Sequence, residues 1–189
     1  EWTDDRSDNR RFRQTSLTYL HYKDNGDMVS DPMFIQGFKF SSTMEAERGK
    51  YFDNGVGRYD ANWPKIESEW FFKKEGHLVK KEAPNDGFQI QNIQNGDALY
   101  FPKVRNLKGK KEIIFTISSI NNANGSIEIH KGSKTGELLG TCSIPNTKKF
   151  TEYQEVSCPI QNVSDQEDLV FVFKGNQGEL LRIDSFSIK

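Results

Sequence analysis

Residues 124–132 read NGSIEIHKG, and this stretch decides the fold class. Asn124-Gly125 is a strong hairpin dipeptide, because both residues tolerate the positive φ of a tight two-residue turn. Residues 126–131 then alternate, with Ile127 and Ile129 on one face. That is the period of a strand with one side in a core. The same grammar recurs on both sides. FQIQNI (88–93) alternates, and DALYFPKV comes after Asn95-Gly96. Then come KEIIFTISSI (111–120), GELLGTCSI (136–144), FTEYQEVSCPI (150–160), DLVFVFKG (168–175) and ELLRIDSFSIK (179–189). No window of this half holds the 3.6-residue period of an amphipathic helix. Short strands at spacings near ten residues predict an all-β fold, an antiparallel β-sandwich of jelly-roll type. The run at 168–175 is apolar on both faces at its centre, which predicts a central strand.

The first 40 residues differ. RRFRQTSLTYLHYKDNGDMVS reads as strand, Asp-Asn-Gly turn, strand, a β-hairpin extension apart from the sandwich. The predicted organisation is a 1–40 hairpin and linker, left from an upstream catalytic domain, and a 41–189 sandwich module. Residues 48–87 are the least regular part and are rich in aromatics, Trp63 and Trp70 among them. They read as an insertion that either holds a long loop on the sandwich or lines a site of its own.

The net charge is -1 at pH 7, which removes the electrostatic argument for nucleic acid or an anionic membrane surface. RRFR (10–13) and KGKK (108–111) are local and flanked by polar or acidic residues. No apolar run reaches the roughly 20 residues of a spanning helix. The chain starts at Glu1 without a secretory signal, so it reads as a processed or truncated product whose export signal would be out of view.

Cys142 and Cys158 are too few for a disulfide framework or for a zinc site without histidine help. They read as structural thiols, and the sequence does not say whether they meet. His21, His77 and His130 are scattered and read as surface imidazoles. No nucleophile elbow, metalloprotease helix, phosphate loop or dinucleotide fingerprint is present in the chain. This chain by itself therefore reads as non-catalytic.

Two features could bind. In MEAE, Glu45 and Glu47 are two apart, which on a strand puts both carboxylates on one face. Paired anions suit a hard cation such as calcium, with Asp184 as a third ligand if the first and last strands are neighbours. The other feature is Phe150. It comes after Lys148 and Lys149 at the rim of a Pro145-Asn146-Thr147 turn, where no core needs a phenylalanine. Sugar rings stack their C–H faces on such aromatics, and their hydroxyls seek amide, carboxylate or guanidinium partners.

From about residue 43 to the end, the chain resembles carbohydrate-binding module family 6. MEAE (44–47), IQNGD (93–97), GSIEIHKGSKTGELLGTCSIPNT (125–147), FTEYQEVSCPI (150–160) and DLVFVFKG…LLRIDSFSI (168–188) carry the resemblance. It implies a β-sandwich that binds xylan-type or other β-glucan chains, with structural calcium at Glu45, Glu47 and Asp184. It implies a cleft in which Phe150 stands where the family usually has Trp. Asn92 stands at the place of a second aromatic, and Arg182 at that of an asparagine. DNRRFRQTSLTYLHYKDNGDMVSD (8–31) resembles the last strands of the glycoside hydrolase family 43 propeller. That family includes β-xylosidases and α-arabinofuranosidases. The chain would then be the C-terminal part of a hydrolase that is secreted, periplasmic or at the cell surface. Its partners would be a polysaccharide or oligosaccharide and the upstream catalytic domain of the same polypeptide. The rival expectation is a structural module that packs on the propeller without sugar affinity of its own.

Overall fold

The computed structural model describes residues 59–84, 87–120 and 125–189, together with the backbone of four short strands before them. The chain divides into two compact units, Glu1–Gly57 and Arg58–Lys189. The boundary expected between residues 40 and 41 lies outside the described residues.

In the first unit, β1 (Trp2–Thr3) pairs antiparallel with β2 (Arg13–Gln14). β3 (Leu20–Tyr22) pairs antiparallel with β4 (Met28–Ser30), and Leu20 faces Ser30. This second pair is the hairpin expected on either side of Asp24-Asn25-Gly26.

The second unit is an antiparallel sandwich. Its strands are β5 (Ile66–Glu67), β6 (Lys73–Glu75), β7 (Val79–Glu82), β8 (Phe88–Ile93), β9 (Ala98–Val104) and β10 (Glu112–Ser118), then β11 (Ser126–Lys131), β12 (Leu138–Ser143), β13 (Gln154–Pro159), β14 (Glu167–Lys174) and β15 (Leu181–Ile188). One sheet runs β13-β10-β15-β8-β7, with β5 paired to β15 beside β8. The other runs β12-β11-β14-β9-β6. The strand at 168–175 is indeed central, with Leu169, Val170, Phe171, Val172 and Phe173 all buried.

Between the sheets, Phe115 and Phe186 from one sheet meet Phe101 and Phe171 from the other. Four of their contacts have ring centroids 4.9–5.2 Å apart, three of them edge-to-face. Ile127 and Ile129 are fully buried, as the alternation of 124–132 required.

Three features go beyond the sequence reading or differ from it. The described part of 48–87 is built into both sheets: β5 and β7 extend one, and β6 edges the other. These strands are two to four residues long, too short for a period to show. Trp63 and Trp70 lie edge-to-face at 6.4 Å and pack on the main core, so they act as a cover for it. Second, Cys142 and Cys158 are joined in a disulfide. It ties β12 to β13, the edge strands of opposite sheets, and so closes one side of the sandwich. Gly140 makes that approach possible, because a Cβ there would lie 2.2 Å from the carbonyl oxygen of Pro159. Third, His130 is buried, between the Glu128 carboxylate (3.1 Å) and the Gly136 carbonyl (2.9 Å).

Candidate functional site

Two irregularities in the sheet shape one end of the sandwich. Along β10 and β15, Thr116 faces Ser185 but Ile117 faces Ile183, so Asp184 is an extra residue, a β-bulge. Along β15 and β8, Leu181 faces Ile93 and Ile183 faces Ile90, so β8 carries an extra residue there. Asn92 lies in that stretch at φ 55°, a left-handed conformation that asparagine tolerates better than most side chains. Bulges re-aim side chains, and these two flank Arg182, which pairs with Ser118.

Phe150 comes to the same place from the other side of the sheet. The chain resumes β structure only at Gln154, four residues later than the alternation suggested. Phe150 is in the preceding turn, half-buried, and its carbonyl accepts a hydrogen bond from Ser118 Oγ (3.0 Å). The turn is pinned from inside. Buried Thr147 donates its N–H to the Ser119 carbonyl (2.8 Å), and its Oγ1 accepts the Ser119 N–H (2.9 Å). The Asn146 side chain accepts the Lys148 N–H (2.7 Å), which stabilises Lys148 at φ 73°.

The three residues expected in the cleft are together. The Arg182 guanidinium lies over the Phe150 ring, 4.1 Å from its centroid. Its Nε donates to Glu179 Oε1 (3.1 Å), and the same oxygen accepts the backbone N–H of Asn92 (2.8 Å). Glu179 is the residue that sequence reasoning missed. It stands three before Arg182, a spacing with no meaning in a strand pattern, because it lies in the turn before β15. The Asn92 amide is engaged at both ends, donating to the His77 carbonyl (3.0 Å) and accepting from Gln94 Nε2 (3.1 Å). Next to Gln94 is a hollow of about 550 Å3 lined by Gln94, Asn95, Gly175, Asn176, Gln177 and Gly178. Gln94 Nε2 is bonded to Asn92, and Asn95 Oδ1 accepts the Gly175 N–H (3.1 Å). The remaining amide groups of the four lining carboxamide residues are donors and acceptors of the kind that sugar hydroxyls pair with.

Tyr153, three residues after Phe150, donates its hydroxyl to Gln89 Oε1. Burial pushes its phenol up, and the Asp184 charge adds to this, against a hydrogen bond with Ser118 and the nearby Arg182 cation.

Of the expected calcium ligands, Glu45 and Glu47 lie outside the described residues. Asp184 is half-buried and accepts one hydrogen bond, from Ser185 Oγ (2.9 Å). Among the described residues no group of three His, Cys, Asp or Glu side chains could hold a metal ion.

Comparison with known proteins bears on this end of the sandwich. The model of carbohydrate binding module family 6 matches residues 67–189. The chain is 34% identical over 93 residues to endo-1,4-beta-xylanase A of Thermoclostridium stercorarium, a match covering 49% of this chain and 18% of that protein. It is 30% identical over 106 residues to the arabinoxylan arabinofuranohydrolase of Paenibacillus polymyxa, covering 55% and 16%. The chain thus matches less than a fifth of the length of either relative. The structure of CsCBM6-3 from Clostridium stercorarium, solved in complex with cellobiose, superposes with a TM-score of 0.64. It is 28% identical and covers 70% of this chain and 97% of that one.

Proposed function

Because the chain belongs to carbohydrate-binding module family 6, we propose that its bulged end holds a plant-polysaccharide chain for a hydrolase of which it is a part. The observation that supports this most is the junction of Phe150, Arg182, Glu179 and Asn92 beside an amide-lined hollow. Phe150 gives an apolar platform for one sugar ring. The carboxamides of Gln94, Asn95, Asn176 and Gln177 face the hydroxyls of the next residues along the polysaccharide. One small platform and a few hydrogen bonds correspond to a Kd on the order of millimolar to tens of micromolar. Xylan-type or β-glucan chains are the proposed ligands, in keeping with the xylanase and arabinoxylan hydrolase relatives and the cellobiose complex. The upstream partner is proposed to be a family 43-like catalytic propeller in the same polypeptide. A disulfide between the sheets fits an oxidising compartment, hence secretion, the periplasm or the cell surface.

One observation favours the rival reading, a structural module without sugar affinity of its own. Arg182 covers a face of the Phe150 ring on which a sugar would stack. Affinity electrophoresis or calorimetry against soluble xylan, arabinoxylan, arabinan and mixed-linkage glucan decides between them. Binding by the wild-type chain that Phe150→Ala abolishes is the expected result. Wild-type protein that binds none of the four would leave the structural role.

Calcium is proposed at Asp184 with Glu45 and Glu47. One Asp184 oxygen accepts from Ser185, and the other has no hydrogen-bond partner among the described residues. If so, calcium should raise the melting midpoint and a chelator lower it. Asp184→Asn should remove the response, and a midpoint indifferent to both additions would rule the site out.

A further inference from the structure

Arg182 is held by one of its nitrogens and presents the others. Its Nε is bonded to Glu179 Oε1, and its guanidinium plane is stacked on Phe150. The two terminal amino groups, with their four N–H donors, have no hydrogen-bond partner among the described residues. The side chain is 23% exposed, and neither amino group is a buried atom without a partner, so solvent reaches them. Ring stacking and the Nε hydrogen bond fix its orientation before any ligand arrives, so little rotamer freedom is left to lose on binding.

The chemistry of such a head is one-sided. Guanidinium donates and never accepts, whereas a sugar hydroxyl does both. A carboxylate only accepts, and its two oxygens match the spacing of the two amino groups. The rim has the complementary charge. Lys148 stands two residues before Phe150, exposed, and its Nζ has no partner among the described residues. Glu179 is engaged with Arg182, and Glu152, in the Phe150 turn, with Lys149 at 2.9 Å.

We propose that the free end of the Arg182 guanidinium, held on Phe150 by Glu179, binds the carboxylate of an acidic sugar. The module would therefore prefer a polysaccharide bearing uronate groups over its neutral counterpart. This rests on the sugar-binding reading above and names the chemical class of the ligand. Phe150 gives up a stacking face to Arg182, and the loss is offset by two charge-assisted hydrogen bonds that a neutral sugar cannot reproduce.

The test is calorimetry on the whole 189-residue chain. Three probes are needed: a xylo-oligosaccharide carrying one glucuronate branch, the same compound with its carboxyl reduced to the alcohol, and the unbranched oligosaccharide. The acid should bind about tenfold or more tighter than the reduced compound, and the advantage should shrink in high salt. Arg182→Gln should abolish the preference. Arg182→Lys keeps the charge but loses the fork, and should lose most of it. An unchanged near-ultraviolet circular dichroism spectrum verifies that each variant is folded. Equal binding of the acid and the reduced compound overturns this proposal and leaves sugar binding intact, as does a preference that persists in both variants. If neither the three probes nor a polyuronate binds, this proposal is overturned, and the four-polysaccharide screen decides the sugar-binding reading separately. A polyuronate that binds when the branched xylan does not would keep the carboxylate and place it in the main chain of the polymer.

Discussion

Reducing the Cys142–Cys158 bond should lower the melting midpoint of the 58–189 unit by roughly 10 °C. The bond closes a loop with a sequence separation of 16. Chain entropy for a loop of that length gives about 3 kcal/mol at room temperature, because the cross-link removes freedom mainly from the unfolded chain. A domain of this size loses about 3 °C per kcal/mol. A reductant leaves both sulfurs in place, so no cavity forms and the loop term stands alone. The assay is thermal unfolding monitored by circular dichroism, with and without reductant, with thiols titrated in parallel. The loop also contains Phe150, but the Thr147–Ser119 hydrogen bonds pin it independently of the bridge. Reduced protein below its midpoint should therefore keep any sugar affinity that the oxidised form has. Two free thiols before reduction would refute the bond itself. A midpoint unmoved after verified reduction would refute the assignment of its effect to loop closure.

Other predictions concern the core and its rim. Phe171→Ala should cost about 4 kcal/mol, since the ring touches three other buried phenylalanines at 4.9–5.2 Å. A chemical-denaturation loss below about 2 kcal/mol would contradict that packing. Burial pushes the Tyr100 phenol up to about 12, aided by its hydrogen bond to the Glu75 carboxylate and by that charge. The unfolded chain ionises this group near 10, so between those values unfolding releases a proton and stability falls as pH rises. Tyr100→Phe should flatten that alkaline limb of the stability profile. The Glu167 carboxyl is held below the usual range. Burial works against this, but is outweighed by the Lys131 ammonium (2.7 Å) and the Ser164 N–H (2.9 Å). Its contribution is present above the unfolded-state pKa and is lost as pH falls through the lower folded one. Glu167→Gln should therefore blunt the acid limb of a melting-temperature profile.

The long strands were legible because each repeats its signal. Residues 126–131 and 167–174 announce themselves by alternation and by a doubly apolar centre. β5, β6 and β7 were not legible, since two to four residues hold barely one period. Phe150 was visible as an apolar residue in a polar turn. Its stacking partner was visible only as a position, because the rotamer that lays Arg182 on the ring is fixed by Glu179, and nothing local signals that bond. The disulfide was invisible for a related reason. Its cysteines lie on strands of opposite sheets, and their meeting depends on a closure that Gly140 permits.

The bulge at Asp184 separates what the core requires from how long the strand is. Leu181, Ile183, Phe186 and Ile188 all enter the core, although Asp184 interrupts their alternation. Remove that one residue and the same four side chains fall into a single uninterrupted phase, with Thr116 and Ile117 meeting their present partners in succession. The interior would register no change of sequence order. The surface would lose a carboxylate and the local twist that aims Arg182. A one-residue deletion there keeps the core phase of β15, but it removes the carboxylate proposed for calcium and draws the β5 pairing at Ser185 and Phe186 one residue closer to the β8 pairing at Leu181 and Ile183.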